Sequence, residues 1–458
     1  MRFAEIDGRR VGIWGYGREG RSALRALRQF APSATVVVVA DGPLDAADHD
    51  EVIALGALER SGGAASDAVG DCQTVILSPG VSTYRPDITA LRAAGVNITS
   101  GTDMWFAENP DAKVIAVTGT KGKSTTSSLI HHLLEAAGVR TTLAGNIGVP
   151  LLDAVRSADP PSIWVFELSS QQAAGLSHSP TVGVIVNLYR EHLDWHLTED
   201  NYFADKINML MHRTDGIAVL NHENDELRRR SARLPGTIAW FGDGERFHVV
   251  GDDVFDGAQL LCPSDAIPLR GRHNRMNLCA GMAAISQLGV DVRAATAGVA
   301  TFTALPHRLQ EVCSIGGVSY IDDSIATTPE ATLAALDALG SHVVTVLLGG
   351  FDRTQDYAPM AADLVSRANV AAVITLPDNG ERILAELQHA AAEHGGNTPI
   401  LEHAADLDAA VARAAALTPK NGTVLLSPAA PSYGRFRNFE ERGDAFLEAA
   451  QRLRPVAR

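Results

Sequence analysis

Short runs dominated by Val and Ile recur along the chain, separated by Ala- and Leu-rich stretches whose apolar residues have helical spacing. A strand without polar alternation is buried on both faces, and a sheet of such strands must be covered by helices on both sides. The pattern therefore specifies an α/β class with largely parallel sheets. Val11 to Trp14, Thr35 to Ala40 and Thr74 to Leu77 read as strands of a first unit ending near Gly101. Each is followed by glycine, proline or a short polar residue, where a parallel strand delivers a ligand-facing loop. A second unit begins with a strand at Lys113 to Thr118 and a helix reaching about Ala137, continues through strands at Ile163 to Leu168 and Val182 to Leu188, and runs to about Leu305. A third carries strands at Val318 to Asp322, His342 to Leu348, Val370 to Leu376 and Thr423 to Ser427, with helices at Pro329 to Leu339 and Tyr357 to Arg367. The divisions are 1–101, 102–304 and 305–458. No repeat of solenoid length interrupts them.

The 39 Lys and Arg against 54 Asp and Glu leave a formal charge of -15. Such a chain is repelled by a phosphate backbone at long range, so neither nucleic acid nor an anionic membrane is an expected partner. Cys72, Cys262, Cys279 and Cys313 are far apart with no C-x-x-C pair, as expected of free thiols in a reducing compartment. No apolar run is long enough to span a bilayer and the first residues lack a secretory pattern, so the expected location is the cytoplasm.

The strongest local signal is Gly119-Thr120-Lys121-Gly122-Lys123-Ser124-Thr125, between a Val/Ile strand and a helix. Backbone N–H groups at such a turn cradle phosphate, Lys123 adds charge at the β/γ positions and the Ser124 hydroxyl can reach Mg²⁺. The spacing G-x-x-x-x-G-K-[ST] would need glycine where Val117 stands, so the loop is a shortened variant. Two later strand ends offer hard-metal ligands, Glu167 and His192. Lys206, taken alone, reads as a solvated helix lysine. Gly15-Tyr16-Gly17-Arg18-Glu19-Gly20 matches G-x-G-x-x-G after a strand, with Asp41 at the end of the next one. That motif supports an alternative, an NAD-dependent oxidoreductase, which leaves the second phosphate loop without a role. Two nucleotide sites fit better with a ligase that joins a nucleotide-bearing substrate to another molecule using ATP.

These residues, together with Glu167-Leu168-Ser169-Ser170, His192-Leu193-Asp194, Gly271-Arg272-His273-Asn274 with Asn277, Leu305-Pro306-His307-Arg308, Asp323-Ser324, Ser427-Pro428-Ala429 and Asn438-Phe439-Glu440-Glu441-Arg442-Gly443, resemble the Mur ligases of peptidoglycan synthesis. The resemblance covers all three units and is closest to the branch that adds glutamate to UDP-N-acetylmuramoyl-L-alanine. It implies a Rossmann-like N-terminal domain, a P-loop ATPase-like central domain and a Rossmann-like C-terminal domain. It implies that Gly15, Tyr16, Gly17, Gly20, Asp41 and Ser78 lie at the UDP moiety and Asn146 near the muramoyl group. Asn274 and Asn277 would meet adenine, while Arg308 and Asp323 would reach the nucleotide from the third domain. Ser124, Glu167 and His192 would hold Mg²⁺, expected as two ions, with Lys206 carbamylated to orient the second. The implied reaction starts with attack of the alanine carboxylate on the γ-phosphorus of ATP. The resulting acyl phosphate is then attacked by the amine of the incoming amino acid and phosphate leaves. The implied state is a monomer.

The sequence departs from the pattern of D-glutamate-adding members in one region. Their Asp-Ser-Lys-Ala-Thr-Asn is here Asp323-Ser324-Ile325-Ala326-Thr327-Thr328-Pro329, their phosphate-loop asparagine is Lys121, and a late loop reads Pro431-Ser432-Tyr433-Gly434-Arg435-Phe436. Thr327, Arg353, Ser432 and Phe439 still align with residues that hold a dicarboxylic amino acid. Changes gathered in one pocket point to a changed ligand, and the run resembles the sub-branch that adds L-glutamate and hands its product to an epimerase. Addition of D-glutamate is the alternative. Folylpolyglutamate synthesis would leave the N-terminal nucleotide unit without use.

Overall fold

The computed structural model describes residues 1–454 apart from 62–64, 270, 304–305, 353–354 and 397, with the backbone alone at Asp194. Two compact units divide them: residues 1–268 with 273–302, and residues 269–272 with 303–454.

The first unit holds three sheets. β1 (Arg10–Trp14), β2 (Thr35–Val39), β3 (Leu58–Glu59), β4 (Thr74–Leu77) and β5 (Asn97–Ser100) form a parallel sheet in the order β3-β2-β1-β4-β5. The order reverses at β1, so the loops after β1 and β4 diverge there and leave the crevice in which parallel sheets bind ligands. β6 (Val114–Thr118), β7 (Thr141–Gly145), β8 (Ile163–Glu167), β9 (Val182–Ile185), β10 (Ile217–Asn221) and β11 (Thr237–Phe241) form a second parallel sheet, ordered β11-β10-β9-β6-β8-β7. Val, Ile and Phe fill β6 and β8, which are buried along their whole lengths as the unbroken apolar runs require. The helix Gly101–Glu108 joins the two sheets. Its Trp105 packs edge-on against Phe166 of β8 at 4.6 Å, so both sheets share one hydrophobic core.

The third sheet has no counterpart in the expected elements. β12 (Phe247–Val250), β13 (Asp253–Asp256) and β14 (Gln259–Cys262) make an antiparallel meander. Its strands are only four residues each and half-exposed, too short for an apolar run to mark them.

The second unit contains β15 (Gln310–Ile315), β16 (Val318–Asp322), β17 (Val344–Leu348), β18 (Val370–Thr375), β19 (Ile400–His403) and β20 (Thr423–Leu426), ordered β15-β16-β20-β17-β18-β19. Five strands are parallel, and β15 pairs antiparallel with β16 at the edge. The helix Pro329–Leu339 falls where the sequence places it, because the Thr328 hydroxyl accepts the Ala331 N–H and Pro329 occupies the first turn. Among the described residues no helix is long and apolar enough to cross a membrane.

Candidate functional site

β6 is central in its sheet, so the turn that follows it opens between the C-terminal ends of β8 and β9. Gly119 and Gly122 have φ of 154° and 83°, values that a side chain would strain, and Gly122 directly precedes the helix Lys123–Ala136. A Cβ on Gly122 would lie 2.6 Å from Asn277 Oδ1, so the loop packs tightly on that side chain. Asn277 also donates to Asn274 Oδ1 at 3.1 Å. Of the two asparagines expected at adenine, Asn277 borders the phosphate loop and Asn274 is bonded to it.

The loop is braced from behind by residues the sequence reading passed over. Asn187 Oδ1 accepts the Lys121 N–H at 2.9 Å and its Nδ2 donates to the Lys121 carbonyl at 3.0 Å, clasping the backbone of one residue on both sides. Thr120 Oγ1 donates to the Tyr189 carbonyl and accepts the Tyr189 N–H and the Tyr202 hydroxyl, so this side chain serves as a latch. Lys121 Nζ pairs with Glu191 Oε1 at 2.7 Å. Burial raises the Glu191 carboxyl, but Lys121, His192 and Lys123 outweigh it and the net direction is down. An asparagine just past an apolar strand was the one local signal that could have marked Asn187.

Lys206 departs most sharply from its reading as a solvated side chain. It is 1% exposed, on the inward face of the helix Glu199–Asn208 with Tyr202 and Phe203. Its Nζ donates to the Gly119 carbonyl at 2.9 Å, the same oxygen that Lys123 Nζ reaches at 3.0 Å. Burial, and then the Lys123 ammonium, hold the Lys206 amine well below the ordinary lysine value, while Glu191 and Glu167 pull the other way.

Glu167 ends β8 and is 1% exposed. Its Oε1 accepts Asn146 Nδ2 at 2.7 Å, and its Oε2 is buried with no donor among the described residues. A buried carboxylate oxygen without a partner is costly unless a cation or ligand completes it. With the Ser124 hydroxyl on the first turn of the phosphate-loop helix, the hard-oxygen donors suit Mg²⁺. His192 is placed differently: its side chain is 43% exposed, its backbone is left-handed (φ 54°), and its Nε2 stands 3.7 Å from Glu191 Oε2. Among the described residues no three His, Cys, Asp or Glu side chains are grouped to hold a metal.

In the first sheet, Gly15 follows β1 with φ 91°, and Ser78 Oγ donates to its carbonyl at 2.6 Å across the crevice. A Cβ on Gly20 would lie 2.1 Å from the same carbonyl, which is why the helix carrying Gly20 can approach the turn. Tyr16 is buried. Gly17 caps the helix Arg18–Phe30, and Arg18 donates to the carbonyls of Gly145 and Asn146 beside Glu167. Asp41 pairs with Arg85 at 2.6 Å and accepts Trp14 Nε1 at 3.3 Å, so a ligand there must share it. Between this crevice and the second sheet lies a pocket lined by Glu19, Ser78, Pro79, Thr102, Gln171, Gln172 and Trp195.

In the second unit, the loops after β16, β17 and β20 leave three neighbouring strands on one edge. Asp323 is buried, accepting the Ser427 hydroxyl at 2.8 Å and the Leu309 N–H at 3.2 Å. Burial pushes its carboxyl up to about 7, against the pull of Arg308, whose Nε is itself buried with no acceptor among the described residues. Arg442, 1% exposed, ties the loops together: it donates to the Ser324 hydroxyl, the Ser324 carbonyl and the Ala430 carbonyl. Ser324 Oγ in turn donates to the Phe439 carbonyl. Gly443 is required beside it, since a Cβ there would lie 2.1 Å from His307 Nδ1 and 2.3 Å from Asp322 Oδ2. Ser432 is buried, and Thr327 accepts Gln355 Nε2 through its carbonyl at 3.1 Å. Arg353 lies outside the described residues.

Known proteins resemble this chain in domain, whole sequence and fold. Residues 117–285 match the Mur ligase middle domain and residues 307–430 the Mur ligase glutamate ligase domain. A Xanthomonas euvesicatoria protein named UDP-N-acetylmuramoyl-L-alanine--L-glutamate ligase is 41% identical, covering 98% of this chain and 97% of its own. A Micromonospora protein of the same name is 42% identical, covering 98% of both chains. The fold is similar to the solved structure of MurF from Acinetobacter baumannii, with a TM-score of 0.60 at 17% identity over 96% of this chain and 93% of that one. With two matched domains and such relatives along nearly its whole length, the chain belongs to the Mur ligase family.

Proposed function

We propose that the chain uses ATP to join L-glutamate to the alanine carboxylate of UDP-N-acetylmuramoyl-L-alanine, giving ADP and phosphate through an acyl phosphate. The observation that carries this reading is the convergence of three features on one sheet edge: the phosphate loop with Lys123, the orphaned Glu167 oxygen, and the buried amine of Lys206. Asn146 bonds to Glu167, which supports placing the acceptor carboxylate beside the γ-phosphate. The curated relatives' names support L-glutamate over its enantiomer.

In this reading residues 1–101 bind UDP through Gly15, Tyr16, Gly17, Gly20, Asp41 and Ser78. Residues 102–304 bind ATP through Gly119 to Thr125, Asn274 and Asn277, and residues 305–458 bind the amino acid through Thr327, Arg353, Ser432 and Phe439. Arg308 and Asp323 are assigned to the nucleotide. Ser124, Glu167, His192 and a carbamylated Lys206 would hold up to two Mg²⁺ ions, which would supply charge neutralisation on the phosphates. The low proton affinity of the Lys206 amine supports the carbamate, since only the neutral amine adds CO₂. The enzyme works as a cytoplasmic monomer, and an epimerase acts on its product.

A calorimetric titration separates this from the dehydrogenase alternative. The expected result is binding of the UDP-muramoyl substrate and none of NAD. Tight NAD binding without UDP-sugar binding would overturn the ligase reading of the N-terminal crevice.

A further inference from the structure

Three buried polar side chains, Ser170, His196 and Asp205, and the half-buried Tyr84 lie beside the proposed cation site and have no part in the chemistry above. Tyr84 OH donates to Asp205 Oδ1 at 3.0 Å, and Asp205 Oδ2 meets His196 Nδ1 at 2.5 Å. His196 Nε2 lies 2.9 Å from Ser170 Oγ. A carboxylate accepts, so His196 donates from Nδ1 to Asp205, and Ser170 Oγ, beside Nε2, also reaches Gln171 Oε1 at 3.2 Å. The order Ser-His-Asp is that of a nucleophilic triad, but Ser170 is 1% exposed and His196 0%, so no substrate carbonyl reaches the hydroxyl. The chain binds elements to one another instead.

Three of the four sit on or next to an element that carries a proposed metal-holding residue. Ser170 opens the helix Ser170–Ala174, three residues after Glu167. His196 ends the helix Leu193–His196, whose cap is His192. Asp205 precedes Lys206 on the helix Glu199–Asn208, so holding Asp205 sets the helix rotation and with it the direction of the lysine. Tyr84 comes from the loop after β4, which begins at Ser78. Two further bonds seat that loop here: Ser82 Oγ to the Trp195 carbonyl at 2.7 Å, and Trp195 Nε1 to the Pro79 carbonyl at 2.9 Å.

We propose that Tyr84, Asp205, His196 and Ser170 are positioning residues: one hydrogen-bonded chain that orients Glu167, His192 and Lys206 and ties them to the loop of Ser78. The inference rests on the assignment of those three residues to the cation site. Partners that orient a ligand are commonly worth about 10- to 100-fold in metal affinity, and Tyr84 stands one bond further out.

The test is Mn²⁺ binding to the full-length protein by calorimetry, with melting temperature recorded in parallel. Tyr84→Phe removes one oxygen and keeps the ring. The expected result is about three- to tenfold weaker Mn²⁺ binding and a lower kcat at unchanged KM for the UDP substrate. Ser170→Ala, at the other end, is expected to do the same, and the double variant to be no worse than the weaker single, because breaking either end releases the same chain. Wild-type Mn²⁺ affinity in Tyr84→Phe, with Glu167→Ala losing the ion, overturns the positioning chain and leaves the cation site standing. Retention of Mn²⁺ by Glu167→Ala overturns the cation site and the chain with it.

Discussion

Lys123→Ala is expected to lower ATP-dependent ADP release by about three orders of magnitude, roughly 4 kcal/mol of transition-state stabilisation, while the UDP substrate binds as before. The lysine begins the phosphate-loop helix, and its Nζ donates to the Gly119 and Thr120 carbonyls. Removing it takes away the charge nearest the phosphates without touching the Asn187 clasp or the Thr120 latch that shape the loop. Steady-state ADP release and a UDP-substrate titration on the same preparation check both halves. Undiminished turnover would remove the phosphate-loop assignment.

Lys206→Ala is expected to lose about 10- to 100-fold or more in activity and to regain part of it with added short-chain carboxylic acids. The cavity left beside Gly119 is bounded by protein on all sides of a side chain that is 1% exposed. A small carboxylate entering it would stand where the proposed carbamate would. Activity is the readout, measured with and without the acid. A fully active alanine variant returns Lys206 to a packing role, and loss without any rescue argues against the carbamate.

The legible part of the molecule is the part written in local chemistry. The Val/Ile runs marked the inner strands β1, β2, β4, β6, β8, β9, β16, β17, β18 and β20, because strands covered on both faces admit little else, whereas β3, β5, β7, β10, β11, β15 and β19 were not marked. Gly119, Gly122 and Lys123 marked the phosphate turn, because a left-handed backbone and a lysine at a helix start leave a short signature. Lys206 was not legible by itself, since Asp205-Lys206-Ile207 has the composition of a surface helix and only the packing of Tyr202 and Phe203 turns it inward. The Tyr84 chain was hidden for another reason: Tyr84 and Asp205 are 121 residues apart, and nothing local foretells their meeting. Thr328 and Pro329 are a caution in the other direction. Their departure from the D-glutamate pattern suggested a changed pocket, and the structure gives both a role at the start of the helix Pro329–Leu339.

That leaves Ile325, the loop at Ser432 and the named relatives as the support for handedness. Inverting one chiral centre exchanges the directions of the α-carboxylate and the side chain, so the wrong enantiomer leaves a charged oxygen unpaired. Such a loss is on the order of 1 to 3 kcal/mol, or tenfold to hundredfold in rate. The direct measurement is ADP release from ATP and UDP-N-acetylmuramoyl-L-alanine with each glutamate enantiomer supplied separately. The account predicts turnover at least about tenfold faster with L-glutamate, and faster turnover with D-glutamate would contradict it.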